Sequence, residues 1–270
     1  MLKPQYDTHA IDSISVTCEF TSEVTAAGLE TIRTEAKRLQ NRLPYRRVRR
    51  KAGQGVTAHE ALTSAPEPVG YMFYSKNKDD EESDSFEIHE AFARYTTQAY
   101  SNFNSFVADS SFYLETANTA FEKSNAKLKR VVVRFLNKFV TTDENWEPSE
   151  SLKGNSKYIP QVCLEKKGDF WHFAIGVFGK AADNSHLLHN IRASHGVQKI
   201  GEDWDNSEYI VTLDLVHVND FWDPEDASNN FSEVFQKTLN NIRIHNSCIL
   251  DEIVSDELSA RIGLKKPKQE

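Results

Sequence analysis

The sequence predicts an α+β fold, built of two antiparallel-sheet units, each packed by long amphipathic helices. Three observations predict it. Residues 13–20, SISVTCEF, alternate apolar and polar side chains. Leu29, Ile32, Ala36, Leu39 and Leu43 recur at spacings of three and four. Residues 128–140, LKRVVVRFLNKFV, are apolar at both parities. A period of two marks a strand with one wet face, and a period near 3.6 marks a helix with one buried stripe.

The elements follow in order. In Ser13–Phe20 the apolar face holds Ile14, Val16, Cys18 and Phe20, so Cys18 reads as a small core residue. A helix is expected over Ala26–Leu43, with Thr25 as its N-cap and Pro44 ending it. Strands are expected at Tyr45–Lys51, Val69–Ser75 and Phe86–Tyr95. Between the last two, KNKDDEESDS reads as a solvated hairpin tip; Asp79, Asp80, Glu81 and Glu82 there are wet carboxylates or a cation site. A second long helix is expected from Thr97 to Lys123, feeding the 128–140 strand, which should be central and covered on both faces. Arg134 lies among apolar neighbours on that strand and therefore needs a carboxylate or carbonyl partner.

Residues 141–160 are polar and carry Pro148, Gly154 and Pro160. This is the expected boundary between units 1–145 and 146–270. Strands follow at Val162–Lys166 continuing to Phe170–Gly179, at Leu188–Lys199 and at Tyr209–Val218. In the last, Asp214 shares its parity with Ile210, Thr212, Val216 and Val218, and is either an active carboxylate or the partner of an arginine. A closing helix runs from Phe231 until Gly263 stops it.

Charge and composition narrow the function. The chain has 270 residues and a formal net charge of −8, the wrong global field for a duplex-DNA protein. No apolar run reaches the length of a membrane span, and the start, MLKPQYDTHAIDS, lacks the apolar stretch of a secretory signal. Cys18, Cys163 and Cys248 lie far apart with no CxxC pair, which fits reduced thiols and a cytoplasmic protein.

Against that acidity stands KRLQNRLPYRRVRRK, residues 37–51, with eight basic and no acidic side chains. Lys37, Arg38 and Arg42 fall on the wet face of the helix; Arg46, Arg47, Arg49, Arg50 and Lys51 charge both faces of the next strand. That strand reads as a protected edge, a docking site for an acidic protein surface, or a phosphate track. The nucleotide, metalloprotease and hydrolase motifs are missing. His186, His189 and His195 are the nearest approach to a metal set, Glu165-Lys166-Lys167 to a nuclease element, and Cys248 with His245 to an activated thiol. No cofactor is expected, and the reading leans away from an enzyme.

The order of features resembles a sporadically distributed prokaryotic family of uncharacterised proteins of about this length. Three segments carry the likeness: Arg134, Phe135 and Asn137 in VVVRFLNKF; the Leu-Asp strand YIVTLDLVHV; and the terminal helix with Ile253, Asp256, Glu257 and Leu258. The resemblance implies no reaction or cofactor. Patchy distribution implies a role in prokaryotic conflict, such as antiviral defence or a toxin–antitoxin locus. The function expected is therefore non-enzymatic binding of another macromolecule, as sensor, adaptor or neutralising partner. A nucleic-acid binder or nuclease using residues 37–51 is the alternative. A protein partner, a possible nucleic-acid ligand, no membrane and a possible homo-oligomer complete the expectation.

Overall fold

The structure is a computed structural model that describes all residues except 1, 7–8, 51–67, 144–145, 166–169, 181–185, 201–202, 222, 225–226, 228–229 and 265–270. It is an α+β fold whose strands pair antiparallel. Contacts divide the chain into two compact units that interleave along the sequence. One holds Ser15–Val132 and Asn219–Thr238; the other holds Met1–Ile14, Val133–Val218 and Leu239–Glu270. The expected division at 145/146 is sequential instead. It differs because strands β2 (Ile11–Phe20), β7 (Leu128–Thr141) and β10 (Asp203–Asp220) and helix α4 (Phe231–Ile253) each give residues to both units.

The unit containing Ser15–Val132 is built on β3 (Tyr45–Arg50), β4 (Pro68–Lys76), β5 (Glu82–His89) and β6 (Phe92–Thr97), which neighbour one another in that order before β2. Register sets one apolar face: Tyr71 lies opposite Ile88 and Phe73 opposite Phe86, while Phe86 lies opposite Tyr95 on the next strand. All five are buried, as are Val16, Cys18 and Phe20 of β2. Helices α1 (Ala26–Gln40) and α2 (Phe103–Glu122) cover this face, and they pack on each other. Phe121 stacks on Phe20 with centroids 3.8 Å apart, and Tyr113 stacks on Phe86 and Tyr95. Thr25 accepts from the Gly28 amide and Asn102 from the Ser105 amide, which satisfies donors that each helix start leaves open. At Gly28 the helices come so close that a Cβ would stand 2.5 Å from the Ala120 carbonyl oxygen, so only glycine fits.

Two expectations change here. The strand expected over Phe86–Tyr95 is a hairpin, β5 and β6, turned at Glu90, which takes a left-handed φ of 49°. The α2 helix begins at Phe103, because Thr97 ends β6 and Asn102 supplies the cap.

In the other unit β7 is followed by β10, β9 (His186–Ile200) and β8 (Trp171–Lys180), and β1 (Lys3–Pro4) pairs with β7 at Val140 and Phe139. Odd-numbered residues face the core: Val133, Phe135, Asn137 and Phe139 on β7, Leu187, His189, Ile191 and Ala193 on β9, and Val211, Leu213, Leu215 and His217 on β10. From α4, Leu239, Ile242, Asn246, Ile249 and Ile253 are buried. The helical chain breaks at Val254, and Ser255 caps a short α5 (Asp256–Arg261); Gly263, at a φ of 72°, closes it.

Three further corrections follow. On β7 the even residues from Val132 to Val140 are half-buried or exposed, so the strand is covered on one face and not on two. Residues 161–165 form a short helix, α3 (Gln161–Glu165), where a strand was expected: Cys163 and Leu164 are buried while Val162 is 55% exposed, which breaks strand alternation. The closing helix is two helices. No helix among the described residues is long and apolar enough to cross a membrane.

Candidate functional site

The basic strand β3 ends the strand order of its unit, pairing with β4 alone among the described residues. Arg47 and Arg49 project with Tyr45, and each meets a carboxylate of β5: Arg47 bonds Glu82, and Arg49 reaches Glu87 at 2.8 Å. Arg47 also lies 4.4 Å over the Tyr74 ring, and Arg46 lies 5.9 Å over Tyr71. Upstream, Arg38 bonds Glu35 at 2.6 Å and Arg42 bonds Asp109 at 2.9 Å, both guanidinia resting on Phe112. Arg50 occupies the last position of the strand, and Lys51 lies outside the described residues. Four of the eight basic side chains, Arg38, Arg42, Arg47 and Arg49, are therefore paired with acids brought in from α1, α2 and β5. A phosphate bound there must compete with those carboxylates.

A second arrangement lies on the uncovered face of the other unit. Arg134 donates to Asp214 through Nε at 2.7 Å and Nη2 at 3.0 Å, a bidentate pair between β7 and β10. From β9, Arg192 approaches the same carboxylate at 3.9 Å. The hydrogen bond to Asp214 holds the Arg134 guanidinium still more firmly protonated than usual. Asp214 has a side chain 11% exposed, whereas that of Arg192 is 64% exposed. Register places Ala174 opposite Arg192 and His172 opposite Ser194, and these residues with Thr212 line a shallow cavity of about 310 Å³. Both Asp214 oxygens accept from Arg134, so the carboxylate anchors that guanidinium. What the shelf offers outward is guanidinium, suited to an acidic group.

Behind this face is a buried polar network. The Nδ1 atoms of His189 and His217 are 2.7 Å apart, and His217 Nε2 is 3.1 Å from Asn246 Oδ1. Because Asn246 Oδ1 accepts only, His217 carries its proton on Nε2; its Nδ1 then accepts from the Nδ1–H of His189. His245 of α4 lies beside His189, with ring centroids 5.1 Å apart. Burial holds His217 down at about 3, the Asn246 bond opposing and the neighbouring histidines adding to the effect. Burial also lowers His189 to about 4, with His245 adding to it, and lowers His245 itself. The cluster is thus neutral at physiological pH, and its role is to satisfy polar atoms inside the core.

The expected histidine trio does not converge. His186 is exposed on one face of β9, while His189 and His195 are buried on the other, six residues or about 20 Å apart. His195 sits instead among Trp146, Trp171 and Tyr209, at centroid distances of 5.0, 6.0 and 5.9 Å. Among the described residues no three His, Cys, Asp or Glu side chains are grouped to hold a metal ion. Cys248 is exposed, and its neighbour His245 turns toward His189. Glu165 ends α3, and Lys166 and Lys167 lie outside the described residues. Sequence reasoning missed the pairing of His217 with His189, although His217 sits at the apolar parity of β10, where an imidazole needs a partner. No protein-family model, curated protein or solved structure matches this chain.

Proposed function

We propose that this chain is a non-enzymatic macromolecule-binding protein, acting in the cytoplasm as sensor, adaptor or neutralising partner in a prokaryotic defence or toxin–antitoxin locus. We take each unit as an antiparallel sheet packed on one side by long amphipathic helices. The observation that carries the reading is the Arg134–Asp214–Arg192 row on the uncovered face: a shallow surface on which Arg134 is anchored by a nearly buried carboxylate and the exposed Arg192 lies 3.9 Å from it. Such a shelf is shallow for a small molecule, and its charge suits a protein partner that presents carboxylates. Affinity capture from the native host with wild-type chain and with Arg192→Glu tests it. A stoichiometric acidic protein retained by the first and lost by the second is the expected result. Equal retention by both sinks the reading.

The second reading, nucleic-acid binding through Arg46, Arg47, Arg49, Arg50 and Lys51, rests on the exposure of β3 at an edge. Under it, Arg46→Glu/Arg50→Glu abolishes retention of single- or double-stranded oligonucleotides, and wild-type retention falls steeply with salt. Binding that survives both changes removes this reading.

A further inference from the structure

β8 is also an edge: among the described residues it pairs with β9 alone, through ten consecutive pairs from Trp171–His195 to Lys180–His186 with no bulge. Edges usually carry charge, proline or a bulge that prevents further pairing. β3 follows that habit, with four arginines in six residues. β8 does not, since Trp171–Gly179 contains no Lys, Arg, Asp, Glu or Pro. Phe178 is 77% exposed and Ile175 is 38% exposed, large apolar side chains on an otherwise flat ladder.

We propose that β8 is a self-association edge, on which a second copy of the chain adds its own β8 antiparallel about a two-fold axis through Gly176. In that register Phe173 lies opposite Gly179 of the second copy, Ala174 opposite Phe178, and Ile175 opposite Val177. Each pair sets a large side chain against a small one or two β-branched chains against each other, and aromatic-over-glycine pairing is a known support for edge glycines. Residues of one parity share a face, so the helix-covered and uncovered faces both continue across the axis. The chain carries a net charge of −8, and this edge, whose strand bears no Lys, Arg, Asp or Glu before its last residue, Lys180, is where two copies meet with little local repulsion. Pairing through β3 sets arginine against arginine. The exposed parts of Phe178 and Ile175 amount to roughly 200 Å² per copy before backbone is added, against about 800 Å² per partner in a standard stable interface. The dimer is therefore reversible and in the micromolar range.

Sedimentation of the full chain from about 1 to 300 μM reads this directly. The wild type passes from monomer to dimer across that range. In Ala174→Lys/Phe178→Lys each lysine faces a lysine of the second copy, and the midpoint moves up by about tenfold or more. In Ala174→Glu/Phe178→Lys the same two positions form opposite-charge pairs, and the midpoint returns toward the wild-type value. Both positions are exposed, so the folds stay intact by circular dichroism; Phe178→Lys alone serves as a second variant if either pair disturbs it. A wild type that remains monomeric throughout, a double-lysine variant that dimerises unchanged, or a charge-swap variant no tighter than it overturns the proposal. Capture of an acidic partner by Arg192 has no bearing on these results.

Discussion

Lowering the pH from 7 to 5 should destabilise this protein through His189 and His217. In the folded state burial holds them at about 4 and about 3, whereas an unfolded histidine titrates near 6.5. Across this window the unfolded chain takes up protons that the native core refuses. Stability is therefore fully present above pH 7 and is lost as pH falls through 6.5 toward the folded values. At pH 5 each imidazole lies about 1.5 pH units below its unfolded value, worth about 2 kcal/mol at 1.36 kcal/mol per unit. The two share a hydrogen bond, so about 4 kcal/mol is the ceiling for the pair. Ordinary carboxylates stay largely ionised over the same interval, and His245, also lowered by burial, adds to the loss in the same direction. Urea unfolding at pH 7, 6 and 5 measures it; with an m-value of about 2–3 kcal/mol/M, the midpoint drops by between about 1 and 2 M. His189→Leu/His217→Leu, which removes the two most depressed rings and leaves His245, should make the dependence clearly shallower whatever it does to stability at pH 7. A wild-type midpoint that barely moves, or an equal slope in the double variant, would refute the reasoning.

Other outcomes follow from the same geometry. Asn246→Asp gives the His217 Nε2–H a charged acceptor, favours the imidazolium and shrinks the stability loss between pH 7 and 5, by the same urea titration. Arg134→Ala strips both hydrogen bonds from the nearly buried Asp214, leaves it Arg192 at 3.9 Å, and lowers unfolding free energy by about 1–2 kcal/mol. Gly28→Ala drives a methyl into the Ala120 carbonyl oxygen; despite better helix propensity it costs about 1–3 kcal/mol, seen as a lower melting temperature. Phe121→Ala empties the stack on Phe20 and costs about 3–5 kcal/mol, where a surface Phe178→Ala costs almost nothing.

Strand and helix periods were legible where one face alone is buried. The alternation of β2 and the stripe of α1 match the burial, whereas Asp214 is buried on the otherwise half-buried parity of β10. β7 misleads because Val132, Leu136 and Val140 are apolar without being covered; between them stand Arg134 and Lys138, paired to Asp214 and Asp12. The Glu90 turn carries no glycine or proline to announce it, and α3 is too short to show a period. At the site, the ion pair of Arg134 could be anticipated from an arginine set among apolar neighbours. The histidine cluster could not, because His189, His217 and His245 come from two strands and a helix and meet only in the folded core. Closeness in sequence drew attention to His186, His189 and His195, and the strand period then sends the first to the opposite face from the others.

The one-sided burial of β7 has a bearing on how such a protein changes over generations. Its odd positions are locked by the interior, while its even positions answer only to their outward neighbours. Apart from Arg134, which holds Asp214, substitutions there can change the outward surface while the buried layer beneath stays in place. Sequence differences between copies that keep this fold are expected to gather on that outward parity.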